Sequence, residues 1–258
     1  MARRLVLPAV LVAVGLALWE GMAALFQVPG WLLPRPSNIG MEMASSYPLL
    51  LGHTWVTLQE VLVGVAASLV AGVSVAMAIA YWRTVERALY PFVIASQAVP
   101  IVAIAPILLI WFGYGLLPKV IVVVLISFFP IVVNMVDGLR SVDPDMVNMM
   151  RTLGARRRHV FTKVQIPGSL PFLFSGVRIA LAVSVIGAVI GEWVGSSAGL
   201  GYLILQSTPR FLTARVFAAI LILALLGMTL FFAVSPLERL VMRWYRTGKR
   251  EKVLEELG

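Results

Sequence analysis

The chain has 258 residues, of which 60% are hydrophobic and only 13% charged, against roughly a quarter charged in an ordinary soluble domain. A water-soluble domain of this size cannot hide so much apolar surface, so a soluble enzyme or nucleic-acid binder is excluded despite a formal charge of +9. There is no cysteine and there are only two histidines, His53 and His159, which removes disulfides, thiolate chemistry and Cys- or His-rich metal sites.

Six segments are long and apolar enough to cross a hydrocarbon core of about 30 Å. They are Leu5–Phe26, Leu58–Trp82, Leu89–Phe112, Leu117–Leu139, Pro171–Gly195 and Thr213–Pro236. The first follows Met1-Ala2-Arg3-Arg4 and has the basic start of a signal peptide. Its apolar run is too long for one and no small-x-small cleavage site follows, so it reads as a retained span. Between spans one and two, Pro29, Pro34 and Pro36 open a loop over 27–57 in which Ser37 to Leu51 can form a short amphipathic helix at the surface.

Charge sets the orientation. With a cytoplasmic N-terminus, the inner side holds Arg3, Arg4, Arg83, Arg87, Arg140, Arg151, Arg156, Arg157, Arg158, Lys163, Arg239, Arg243, Arg246, Lys249, Arg250 and Lys252. The outer side holds only Arg35, Lys119, Arg210 and Arg215, and Arg178 falls inside span five. Sixteen against four places both termini in the cytoplasm. The basic charge reads as topology and anionic-lipid contact, with no nucleic acid involved.

Within the spans, ionisable and small residues are the functional candidates. Pro100 and Pro106 interrupt span three, beside Ser96 and Gln97. Each proline frees a carbonyl that only protein or a wet cavity can cover, so this stretch is either a pathway wall or a packing kink. Asn134 in span four is either a pathway residue or an interhelical hydrogen-bond partner. Glu192 in span five is either part of the external gate or substrate path, or else a partner for Arg210 or an interface residue. Gly187, Gly191 and Gly195, spaced by four, make a smooth stripe that lets another helix approach or leaves room for a solute. Glu20, Glu60 and Asp137 lie near span ends and read as helix anchors. The charged tail from Arg239 reads as a frayed helix.

The loop over 140–170 is the largest inner feature. Asp143 can cap a helix with Pro144 at its first position. That helix runs through Met146, Met149, Met150 and Leu153 and ends at Gly154. A basic helix follows from Ala155 to Lys163, and Pro167 is expected to stop it. With Phe161, the apolar residues form a knob that either lies on the bilayer or docks into a partner's groove.

Here the sequence resembles a family. Gly154-Ala155, eight residues, then Val164-Gln165-Ile166-Pro167 looks like the Glu-Ala-Ala loop of ABC importer permeases, although its name-giving positions are Asn148, Met149 and Met150. Leu33-Pro34-Arg35-Pro36-Ser37, Val99-Pro100-Ile101 through Trp111-Phe112-Gly113, Phe129-Pro130-Ile131 and Gly138-Leu139-Arg140 resemble the nitrate/sulfonate/taurine branch. Leu173-Phe174-Ser175-Gly176, Ile186 through Gly195 and Gly199-Leu200-Gly201-Tyr202 look most like its thiamine-pyrimidine and riboflavin-precursor permeases.

The resemblance implies an all-α membrane protein with six transmembrane helices in the type I (MetI-like) importer permease fold, and one transmembrane domain over 1–258. It implies a bacterial inner-membrane, multi-pass subunit without catalysis or cofactor of its own. ATP and Mg would be bound by a separate ATPase dimer gripping the loop 140–170. An extracytoplasmic binding protein would deliver the solute to a homodimer of permeases. Asp143, Met146, Met149, Met150, Leu153, Gly154, Ala155, Phe161 and Pro167 become the coupling residues, and Gln97, Pro100, Asn134 and Glu192 the pathway candidates. The chain lacks a Gly-x-x-x-x-Gly-Lys-Ser/Thr loop. The rival classes are an intramembrane hydrolase, for which both histidines fall in expected loops, and a self-sufficient secondary transporter, which usually shows an internal repeat.

Overall fold

The computed structural model describes residues 2–242, with side chains from residue 6 onward. The side chains of Arg3 and Arg4, and the tail carrying Arg243, Arg246, Lys249, Arg250 and Lys252, lie outside the described residues. Every regular element described is helical. Among the described residues five helices are long and apolar enough to cross a membrane, or six if one sharply bent pair is a single span.

Helix α1 (Ala2–Leu25) and the short α2 (Pro36–Ser45) precede a 35-residue α3 (Tyr47–Tyr81). Much of the expected outer loop is therefore helical. Glu20 of α1 accepts hydrogen bonds from the Ser37 N–H (3.0 Å) and hydroxyl (2.8 Å), which supplies the first turn of α2 with the acceptor that Arg35 at its cap cannot provide. Trp19 packs on Phe217 with ring centroids 5.7 Å apart. Most of the rest of α1 is exposed, as expected of a span whose solvent is lipid.

The third expected span, Leu89–Phe112, is interrupted before Pro100 and is not one helix. Helix α4 (Arg83–Ala95) and a 3₁₀ turn at Ser96–Ala98 meet α5 (Ile101–Phe112) at 101°. Val99 is extended (φ −83°, ψ 121°), the conformation forced on a residue before proline, and Pro100 opens α5 with no N–H to orphan. Pro106 sits inside α5 without breaking it.

Helix α6 (Leu116–Arg140) and α9 (Ile166–Gly195) form the centre, with α3 packed on the same pair. Small residues set how closely they lie. A Cβ on Gly64 would meet Val123 at 2.4 Å, and one on Gly176 would meet the Pro130 carbonyl at 2.7 Å. The glycine stripe of α9 faces inward in the same way. A Cβ on Gly187 or Gly191 would lie 3.1 Å from the Cα of Val123 or Lys119, and one on Gly195 2.4 Å from Leu109. The stripe thus lies against α5 and α6 of its own chain.

Between α6 and α9 the chain forms α7 (Pro144–Thr152) and the single turn α8 (Arg157–Val160). After α9 come α10 (Leu200–Ser207) and α11 (Thr213–Val241). Pro167 does not stop the basic helix. A π-helical turn over Phe161–Gln165 carries α8 into α9, giving one continuous helix from Arg157 to Gly195. The wide turn leads into Pro167, which then occupies a first-turn position of α9, where a missing N–H is tolerated.

Candidate functional site

The densest buried polar cluster lies where α3, α6, α9 and α10 converge. His53, Thr57 and Glu60 follow at i, i+4 and i+7 along α3 and so share one face. Lys119 comes from the first turn of α6, and Glu192 from the last turn of α9. Thr57 and Glu60 are completely buried and Glu192 is 1% exposed.

These side chains close the N-terminus of α10. The Gly199 N–H donates to Nδ1 of His53 at 2.9 Å, and the Leu200 N–H to the Thr57 hydroxyl oxygen at 2.9 Å. Oε2 of Glu192 accepts from the N–H groups of Gly201 and Tyr202, while Oε1 accepts from the Thr57 hydroxyl at 2.6 Å. Four backbone donors that a helix start leaves without partners are therefore met by three side chains from two other helices. The carboxylate also sits at the positive end of the helix dipole. Gly199 must be glycine twice over. Its φ is +113°, and a Cβ there would fall 2.2 Å from the Glu192 carboxyl carbon.

One turn further along α3, Glu60 forms an ion pair with Lys119, whose ammonium also donates to the Ser196 hydroxyl at 3.0 Å. This pair joins the first half of α3 and the start of α6 to the end of α9. Lys119, counted among the outer cations from the sequence, is thus a buried structural charge. Glu60 is a fully buried partner that ties α3 to α6. Glu192 does not meet Arg210, which is exposed. His53 lies in α3, not in a loop, and its Nδ1 is taken up by the cap. The cluster acts as a clasp: its hydrogen bonds and ion pair fix helix ends to one another.

The remaining pathway candidates do not join this cluster. Gln97 and Pro100 are exposed at the bend between α4 and α5. Asn134 donates from Nδ2 to the Pro130 carbonyl at 2.8 Å on its own helix, beside Gly176 of α9. That bond occupies the carbonyl of the proline inside α6. A wholly apolar groove of about 850 Å³ opens between α5, α9 and α11, walled by Val102, Ile186, Trp193, Met228 and Phe232 among others.

At the opposite end of the bundle, Asp143 caps α7 by accepting from the Asp145 N–H at 2.8 Å, with Pro144 at the first position. The Gly154 and Ala155 N–H groups return to the carbonyls of Arg151 (2.9 Å) and Met150 (3.0 Å). This closure requires the left-handed backbone that Gly154 adopts, at φ +81°. Met146, Met149 and Leu153 are 50%, 56% and 75% exposed, and Met150 is half-buried. Phe161 is not part of that face. It is buried against Tyr81, ring centroids 5.0 Å apart, because the π turn rotates it towards α3 and α6.

Residues 64–243 match the family model of the binding-protein-dependent transport system inner membrane component. The chain is 40% identical to the formylaminopyrimidine transport permease protein ThiX of Halalkalibacterium halodurans, over 89% of this chain and 92% of that protein. It is 39% identical to the riboflavin transport system permease protein RibX of Chloroflexus aurantiacus, over 89% of this chain and 86% of that protein. The taurine transport system permease protein TauC of Escherichia coli matches at 28% over 95% of this chain and 92% of its own. The fold is shared with a chain of the inward-facing MetNI methionine ABC transporter, with a TM-score of 0.67, 21% identity, and coverage of 77% of this chain and 98% of that one. With a helical bundle of membrane-crossing length and a family match over most of its residues, this chain belongs to the inner-membrane permease subunits of binding-protein-dependent ABC importers.

Proposed function

We propose that this permease carries a small organic solute of the thiamine-pyrimidine or riboflavin-precursor class into the cell. Its partners are a second copy of itself, an ATPase dimer and an extracytoplasmic binding protein. The observation that carries the substrate class is the gradient of identity. Relatives named for formylaminopyrimidine and riboflavin transport stand at 40% and 39%, while those named for aliphatic sulfonates and taurine stand at 30% and 28%. The chemistry of energy coupling belongs to the ATPase, and the permease contributes shape and motion.

Orientation follows from charge and is supported by the way the bundle is ordered. Tyr81, Leu139 and Phe161 gather at one end, beside the arginines of 83–87, 140 and 151–158, while His53, Lys119 and Glu192 gather at the other. The basic end is cytoplasmic by the inside-positive rule, which puts α7 in the cytoplasm and the clasp on the outer side. In this reading α7 is the coupling helix. Its exposed methionines, with Leu153, enter the ATPase, and the closures at Asp143 and Gly154 hold it rigid. Phe161 anchors the connector from beneath.

The test is transport by the reconstituted complex. Proteoliposomes holding permease, ATPase and cognate binding protein should accumulate a labelled formylaminopyrimidine or riboflavin in competition with a large excess of taurine. Accumulation abolished by taurine and unaffected by both heterocycles would refute the substrate class and leave the permease assignment standing.

A further inference from the structure

Beneath α7, on the side away from its exposed methionines, lies a cavity of about 130 Å³, roughly the share of four water molecules in the liquid. Its polar wall is built by Arg151 of α7, Arg157 of α8 and Gln165 of the π turn, closed by Tyr81 at the end of α3. Among the described residues neither arginine has a carboxylate within ion-pair distance, although Arg140 nearby is neutralised by Glu86 at 2.6 Å. Arg157 is held in place: its guanidinium donates to the Tyr81 carbonyl and lies 4.8 Å over the Tyr81 ring. Two guanidiniums from separate elements converging on a small polar space, without a counter-charge, make a receptor for a tetrahedral oxyanion.

We propose that this cavity binds a phosphate group, and that the phosphodiester of an anionic lipid in the inner leaflet supplies it. The site's depth favours lipid. Tyr81 and the half-exposed Trp82 end the apolar run of α3, and such aromatic residues mark the headgroup level. Its direction excludes the coupling partner. Arg151 stands five positions after Met146, which turns the arginine about 140° around α7 from that methionine. A protein gripping the methionine face does not enter the cavity. The bound phosphate would tie α7 to the ends of α3 and α9 at the membrane surface. The inference needs the cytoplasmic orientation but not the identity of the transported solute.

The experiment uses the full-length permease, purified in detergent and stripped of lipid, with Arg151→Gln, Arg151→Lys and, as a control outside the cavity on the same basic end, Arg87→Gln. After equal amounts of phosphatidylglycerol and phosphatidylcholine are added back, native mass spectrometry counts the lipid of each kind retained, and thermal melting is followed with phosphatidylglycerol, inorganic phosphate or chloride. Wild type and Arg87→Gln should retain phosphatidylglycerol preferentially. Arg151→Gln should retain it at least several-fold less, with Arg151→Lys between them, while all melt alike without lipid. Stabilisation by inorganic phosphate alone, lost in Arg151→Gln, would support the phosphate site and assign it to a free anion instead of lipid. Equal retention by Arg151→Gln and Arg87→Gln would overturn the site. So would an Arg151→Gln protein that keeps its lipid and phosphate responses and loses only ATPase co-purification, for then the arginine is a protein contact.

Discussion

Replacing Glu192 tests whether the buried clasp holds the bundle as its geometry implies. Glu192→Ala removes the acceptor of the Gly201 and Tyr202 N–H groups and of the Thr57 hydroxyl. The site is 1% exposed, so water does not readily replace it. Each buried N–H left without a partner costs about 1–3 kcal/mol, so the alanine variant should lose about 2–6 kcal/mol. Glu192→Gln keeps the shape and one carbonyl oxygen that can accept from both N–H groups. It loses chiefly the charge at the helix start, worth up to about 2 kcal/mol in a buried setting. The two variants should separate clearly in apparent melting temperature in detergent, alanine well below glutamine and glutamine modestly below wild type. Uptake should fall in the same order once membrane abundance is normalised. If alanine and glutamine melt together near wild type, the cap contributes nothing. If glutamine matches wild type in melting and loses uptake, Glu192 acts on the solute path and the clasp account is wrong.

Lys119→Met should destabilise by about 3–5 kcal/mol because it leaves Glu60 buried and unpaired. The double variant Lys119→Met/Glu60→Gln should recover much of that loss, and a double variant as unstable as the single would argue against the pair. Gly191→Val puts a β-branched side chain where even a Cβ lies 3.1 Å from the Lys119 Cα. It should cost at least about 1–3 kcal/mol by overpacking and lower folded yield, whereas unchanged yield and melting would show that α6 and α9 are not so closely apposed. At Gly154 nothing lies within 4 Å of an added Cβ, so Gly154→Val pays only for the left-handed backbone, about 1–2 kcal/mol. It should insert in the membrane at normal abundance and lose coupling of ATP hydrolysis to uptake. Normal coupling would return α7 to an ordinary surface helix.

What was legible in the sequence was mostly local. The Asp143 cap, the first-turn proline and the Gly154 reversal depend on backbone a few residues away, so their spacing suffices. The glycine stripe of α9 was visible as a pattern, but its partner was not, since Val123, Lys119 and Leu109 lie on other helices. The clasp was missed for the same reason. Thr57 and Glu192 are 135 residues apart, and a lysine at the start of a span reads equally well as a surface charge. One signal was available: His53, Thr57 and Glu60 make a polar face on an apolar helix, which is hard to explain unless something polar packs on it. The prolines divided according to context. Pro100 bends the chain because Val99 is extended before it, Pro106 and Pro130 sit inside continuous helices, and Pro167 follows a π turn that leads into its helix. Residue type gives the lost donor, and only tertiary packing decides between a kink and a break.

The most direct test of the central claim is ATP-dependent transport by defined components. Permease, cognate ATPase and cognate binding protein are reconstituted in proteoliposomes, and solute uptake and ATP hydrolysis are measured together with each component withheld in turn. Accumulation against a gradient is expected only when all three proteins and ATP are present, with hydrolysis stimulated by the loaded binding protein. Accumulation by the permease alone, driven by an ion gradient and indifferent to ATP, would contradict it.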